Sequence, residues 1–119
     1  MSKPVAHYSP FTRAGDWLII SGQIGLSEGA LVDGLEAQTR QVLANLQGVL
    51  DSAGAQMTDI VKCTIFLSDI GDFATVNGLY AEAFADHLPS RSAVAVAGLP
   101  LGALVEIEAW AWLGSDSGE

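Results

Sequence analysis

Arg91 opens the run Arg91-Ser92-Ala93-Val94-Ala95-Val96-Ala97, and strand alternation puts it on one face with Ala93, Ala95 and Ala97. A guanidinium keeps its proton and needs an anion when its neighbours are small and apolar. Its planar fork matches a carboxylate through two parallel hydrogen bonds. Two uses fit these residues equally: a clamp for a carboxylate-bearing ligand, or a structural position paired with a nearby acid or exposed at a strand end. Glu106 and Glu108 share one face of residues 104–113 with Trp110 and Trp112, opposite Val105, Ile107, Ala109 and Ala111. Burial against indole rings raises a carboxyl pKa and suits the group to moving protons near neutrality. The alternative is an edge strand guarded by charges. His7 and His87 lack partners at metal-ligand spacing, so no metal site is expected. Cys63, in mid-strand, reads as a small core residue. No phosphate-cradling glycine pattern occurs.

The elements that must position these residues follow from periodicity. Residues 17–20 read as a short strand, followed by Ser21-Gly22-Gln23-Ile24-Gly25 and a glycine-rich turn region reaching Asp33-Gly34. Residues 36–53 form a helix, with Leu35, Val42, Leu43, Leu46, Val49 and Leu50 mainly on one face. Asp33 with Glu36 resembles a capping box, and Gly54 is a natural stop. Residues 60–67 are a strand rich in β-branched and apolar side chains. Asp69 or Asp72 can cap a second helix reaching about Ala85, with Phe73, Val76, Tyr80 and Phe84 as its inner stripe. Asn77 lies beside that stripe; if buried it requires a hydrogen-bond partner, and a partly exposed Asn fits equally. Pro89 ends this region, residues 91–97 form a strand, 98–102 a loop, and 104–113 the last strand. The order is β, β, α, β, α, β, β. An α+β domain with two helices on one face of a mixed sheet is the economical architecture.

At 119 residues there is room for one domain, residues 1–119, with a loose tail over 114–119. Only 16% of residues are charged, against roughly 25% in an average domain. So few charges cannot cover the large relative surface of a small domain, and the apolar remainder points to a homo-oligomer. The helix-free sheet face is the part that neighbouring subunits must cover. Net charge is −9, and Lys3, Arg13, Arg40, Lys62 and Arg91 are scattered along the chain. Without a basic cluster there is no footprint for nucleic acid, and the acidic surface repels anionic membranes. The one cysteine excludes an intrachain disulfide. The N-terminus lacks the apolar core of a signal peptide, and no apolar stretch approaches membrane-spanning length. A cytoplasmic, reducing location is the expectation.

The segments SGQIG, QTRQVLANLQGVLDSAGAQMTDIVKCTIFLSD, DFATVNGLYAEAF, PSRSAVAVAGLP and ALVEIEA resemble successive signature blocks of the reactive-intermediate deaminase (Rid, formerly YjgF) family. The likeness runs from about Ala6 to Trp112. It implies a chorismate-mutase-like fold and a barrel-like homotrimer with three clefts between subunits. It also implies a hydrolase of the 2-iminobutanoate/2-iminopropanoate deaminase type, converting 2-aminoacrylate-type enamines and imines to 2-oxo acids and ammonia without a cofactor. By position, the resemblance makes Arg91 the ligand of the substrate carboxylate and Glu106 the acid that positions or activates water. Tyr8 matches the aromatic lining the pocket, Gly22 lies at its wall, and Ala93 offers backbone groups. Asn77 matches the family's helix asparagine. The chain departs from the family at Ala6-His7 in place of Gly-Pro, at Pro10 in place of Gln, and at Ala93 in place of Cys. Ala95 and Gly98 also replace a frequent Glu and Arg, and the turn before the first helix is shorter. Two other roles stay open at this stage: a trimeric module that binds a small carboxylate without turnover, and a ribonuclease or translation inhibitor.

Overall fold

A computed structural model describes residues 7–114. β1 (Phe11–Ala14) and β2 (Trp17–Gln23) form a hairpin. β3 (Leu26–Ser27) and β4 (Ala30–Leu31) make a minor one. Then follow α1 (Leu35–Ser52), β5 (Ile60–Leu67), α2 (Phe73–Phe84), β6 (Ser90–Ala95) and β7 (Val105–Trp112). The main sheet has the order β1-β2-β7-β5-β6, with every pair antiparallel except β5 and β6. The parallel pair is bridged by α2, as a crossover requires. The α+β reading therefore holds, and β5 matches its expected range.

Period-two burial splits the sheet cleanly. Leu18, Ile20, Cys63, Ile65, Leu67, Val105, Ile107, Ala109 and Ala111 turn inward, where Val42, Leu46, Leu50, Val76 and Phe84 of the two helices complete the core. Among the described residues no element covers the opposite face. There Trp17 sits edge-on to Trp110 and Trp112, with centroids 5.7 and 5.0 Å away. Trp110 is 41% exposed. Among the described residues no helix is long and apolar enough to cross a membrane.

Several local expectations are corrected. The capping box is absent: Gly34 is the N-cap of α1 at φ 96°, without a side-chain cap, because its left-handed backbone makes the turn that Asp33 was expected to stabilise. Asp69 caps a short 3-10 turn at residues 70–72, its carboxylate accepting from the Gly71 N–H, and Asp72 precedes α2 without a side-chain bond. Gly54 does end α1, at φ 76°. The strand expected over 91–97 is β6, Ser90–Ala95. β7 is no charge-guarded edge, since it lies between β2 and β5. The expected loose tail falls, apart from Gly114, outside the described residues.

Buried polar groups also tie the layers together. Gln38, on the core face of α1, accepts the Leu104 N–H at 2.9 Å and so fixes the entry to β7. Asn45 donates to the carbonyls of Ile24 and Leu26, both at 3.0 Å, pinning the segment after β2 to α1. Gly25 is required in that segment, because a Cβ there would lie 2.9 Å from the Gln38 Cα.

Candidate active site

Arg91 is half-buried on the helix side of the sheet, opposite Cys63 of β5. Its Nη1 donates to Asn77 Oδ1 at 2.7 Å. Its Cζ lies 4.9 Å from the ring centre of Tyr80 and 5.3 Å from that of Phe73. Such contacts are worth about 0.5–2 kcal/mol each, the more so when water is kept away. The expected setting of small apolar neighbours is therefore incomplete: two aromatic rings and an amide hold the guanidinium. Phe73, Asn77 and Tyr80 stand at i, i+4 and i+7 on one face of α2, a spacing that could have revealed the cradle.

Among the described residues the ion pairs are Arg40 with Glu36 and with Glu82, so no carboxylate neutralises Arg91. A fork with five donors that uses one of them on a neutral amide is equipped for an anion from outside the chain. The structural acid partner that the sequence left open is not found among the described residues. Ala93, two residues on, faces the same side opposite Ile65 and packs against the core. β6 is an edge strand, so the backbone groups on its outer side lie outside the sheet ladder.

Glu106 and Glu108 alternate onto the helix-free face of β7, opposite Phe66 and Thr64 of β5. Burial pushes the Glu106 carboxyl up, and the neighbouring Glu108 charge adds to this. The cause is thus desolvation first and like charge second, while the indoles of Trp110 and Trp112 are engaged with Trp17. Glu106 holds its proton more tightly folded than unfolded. It therefore contributes stability below the ordinary carboxylate pKa and loses it as pH rises past the raised value.

Gly22, in β2, is the wall against which Glu106 rests, and a Cβ there would overlap the carboxylate. Since the displaced atoms are the end of a flexible side chain, Gly22→Ala should leave the melting temperature nearly unchanged while swinging Glu106 out of place. Thermal melts and turnover on one preparation check this. A variant with full turnover would show that the position of Glu106 is immaterial. Tyr8 is 46% exposed and immediately precedes the residues that join β2. The next residues are tied to β2, with Ser21 Oγ donating to the Ser9 carbonyl at 2.6 Å and the Ser21 N–H to Pro10.

Gly22 and Glu106 thus lie together at β2 and β7, and Arg91, Ala93 and Asn77 at β6 and α2. The two groups are separated by β5 and sit on opposite faces of the sheet. One copy does not bring them into a single cavity. Cys63 is buried in the core beside Tyr80, and burial raises its thiol, which suits packing and not nucleophilic attack. His87 is occupied by a 2.7 Å bond from Nε2 to the Ile60 carbonyl. Among the described residues no group of three or more His, Cys, Asp or Glu is placed to hold a metal ion.

The family model described as Endoribonuclease L-PSP matches residues 1–113. A Psychrobacter protein solved as RidA superposes with a TM-score of 0.90 at 36% identity, over 92% of this chain and 91% of that one. The chain belongs to the Rid family. A rat relative in this family, 43% identical over 88% of this chain and 79% of its own length, is a 2-iminobutanoate/2-iminopropanoate deaminase. Escherichia coli TdcF, solved with bound serine, superposes on this Rid chain with a TM-score of 0.88 at 34% identity, over 93% of this chain and 91% of that one.

Proposed function

We propose that this Rid protein is an imine and enamine deaminase. In this reading it converts 2-aminoacrylate-type intermediates to 2-oxo acids and ammonia, in clefts between the copies of a cytoplasmic homotrimer. The observation that carries the reading is the Arg91 fork, held by an amide and two rings and paired with no acid among the described residues. Relatives named as 2-iminobutanoate/2-iminopropanoate deaminases, and a relative that holds serine, a small 2-amino acid, point to the same ligand class.

The chemistry needs little. Arg91 holds the substrate carboxylate and orients C2. The enamine takes a proton at C3 and becomes the iminium. Glu106 accepts a proton from water as the water oxygen bonds to C2, giving a carbinolamine, and passes that proton to nitrogen. As the C–N bond breaks and ammonia leaves, the C2 hydroxyl gives its proton to Glu106 and becomes the oxo group. Release of that proton to solvent balances the one taken at C3. Tyr8, Gly22 and the Ala93 backbone line the cleft. Every step moves only water and protons, so the reading calls for no cofactor. Because Arg91 and Glu106 face opposite ways in one copy, Glu106 of a second copy completes each site. The helix-free sheet face, where Trp110 and Val94 are exposed beside the two glutamates, is the surface that brings the copies together.

The family description favours one rival, RNA cleavage. Against it stand the −9 charge and the dispersal of five basic residues, which leave no track for phosphates. Release of 2-oxo acid from freshly generated 2-aminoacrylate, faster than its spontaneous decay, is the expected result. Carboxylate binding without turnover would leave a binding module, and RNA cleavage that survives loss of Arg91 would favour the nuclease.

Glu106→Gln should lower turnover about a hundredfold while keeping the fold and ligand binding, since an amide preserves shape and moves no proton. In the unmutated protein kcat should fall as pH drops through a value above the ordinary carboxylate range, and this limb should vanish in the variant. A pH–rate profile identical in the two proteins would shift the role to Glu108 or to water alone.

A further inference from the structure

An open pocket of about 370 Å³ runs along the C-terminal half of α2, and Arg91 and Asn77 line it together with Tyr80, Phe84, Leu88 and Pro89. Pockets that bury whole small molecules occupy about 300–1,000 Å³, so this space far exceeds what the methyl or ethyl group of a small imino acid fills. We propose that it is a side-chain subsite. It takes the large apolar side chain, above all an aromatic ring, of a 2-imino acid whose carboxylate Arg91 holds. The inference rests on the deaminase reading and extends its substrates beyond the three- and four-carbon imines.

Four features carry it. The pocket shares Arg91 and Asn77 with the carboxylate clamp, so a ligand anchored there has its side chain at the pocket mouth. Its lining is otherwise chiefly apolar, and the stacked pair Tyr80 and Phe84, with centroids 4.4 Å apart and only 6% and 5% exposed, gives it a rigid aromatic floor. Ala81 of α2 and Ala85 just past its end put only methyl groups into the lining, which leaves the volume unfilled. The far wall is fixed before any ligand arrives. Ala85 turns the chain out of α2 at φ 53°, the His87 N–H bonds the Phe84 carbonyl at 3.0 Å, and His87 Nε2 anchors on Ile60. Left-handed backbone at an alanine is strained, and it persists because both His87 bonds hold the turn. Leu88, carried by that turn, is 87% exposed, an apolar side chain that a bound ring would cover.

The test compares imines formed in situ from phenylalanine and from alanine by an amino-acid oxidase, with 2-oxo acid release as the readout. The unmutated protein should process the aromatic imine with a kcat/KM at least equal to that for the small one. Ala81→Leu fills the pocket and Leu88→Ser strips its apolar rim; both positions are exposed, so folding should survive. Each variant should lower the aromatic-to-small ratio of kcat/KM about tenfold or more, mainly through KM, as pocket contacts of this size do. A protein that hydrolyses the small imine alone, or a ratio that either variant leaves unchanged, overturns the subsite while the deaminase reading stands. Hydrolysis of neither imine removes both.

Discussion

Arg91→Ala should reduce kcat/KM for imine hydrolysis by about a hundred- to ten-thousand-fold, the loss that follows when a partly buried ion pair worth roughly 3–5 kcal/mol is broken. The loss should be large because nothing nearby can replace the fork. Asn77 is neutral, and Phe73 and Tyr80 offer only ring faces. Arg91→Lys should fail almost as badly. An ammonium cannot give the two parallel hydrogen bonds, nor can it span Asn77 and a substrate carboxylate at once. If Arg91 served the fold alone, the alanine variant would melt at a lower temperature and keep full specific activity in its folded fraction. Melting and steady-state kinetics on the same sample separate the two. A less stable but fully active variant would remove Arg91 from the site.

The elements that bury a continuous apolar pattern were legible in the sequence. Residues 60–67 and the face of α1 containing Val42, Leu46 and Leu50 carry enough β-branched or helically spaced apolar groups to fix their own structure. β1 was missed because Phe11-Thr12-Arg13-Ala14 is an exposed edge strand with no alternation to read. β3 and β4 are two residues each, held by Asn45 and Gly25 and not by any pattern of their own. Gln38 and Thr39 look like solvent-side residues, yet both are buried. Their partners, Leu104 N–H and the Leu35 carbonyl, are set by tertiary contact for the first and helix geometry for the second.

For the site, the residue types were legible and the geometry was not. Alternation shows that Arg91 sides with Ala93 and that Glu106 sides with Glu108. It cannot relate one strand's faces to another's. That relation comes from register: Arg91 pairs with inward-facing Cys63, while Glu106 pairs with outward-facing Phe66. The cradle of Phe73, Asn77 and Tyr80 was half visible, as an asparagine beside an apolar stripe whose use only the fold reveals.

The same register yields the second large effect, and the most direct test of a site built from two copies. Arg91→Ala and Glu106→Gln chains, each nearly inactive alone, are to be unfolded together, refolded as a mixture and assayed for imine hydrolysis. On the proposed arrangement, each cleft of a closed ring draws Arg91 from one copy and Glu106 from the next. Random mixing then leaves about a quarter of the clefts with both native groups, and activity should return to about a quarter of the unmutated value. Arg91→Ala mixed with unmutated chains should show no such gain over simple dilution. A mixture that stays as inactive as its components, although light scattering shows that mixed assemblies have formed, would contradict the shared site.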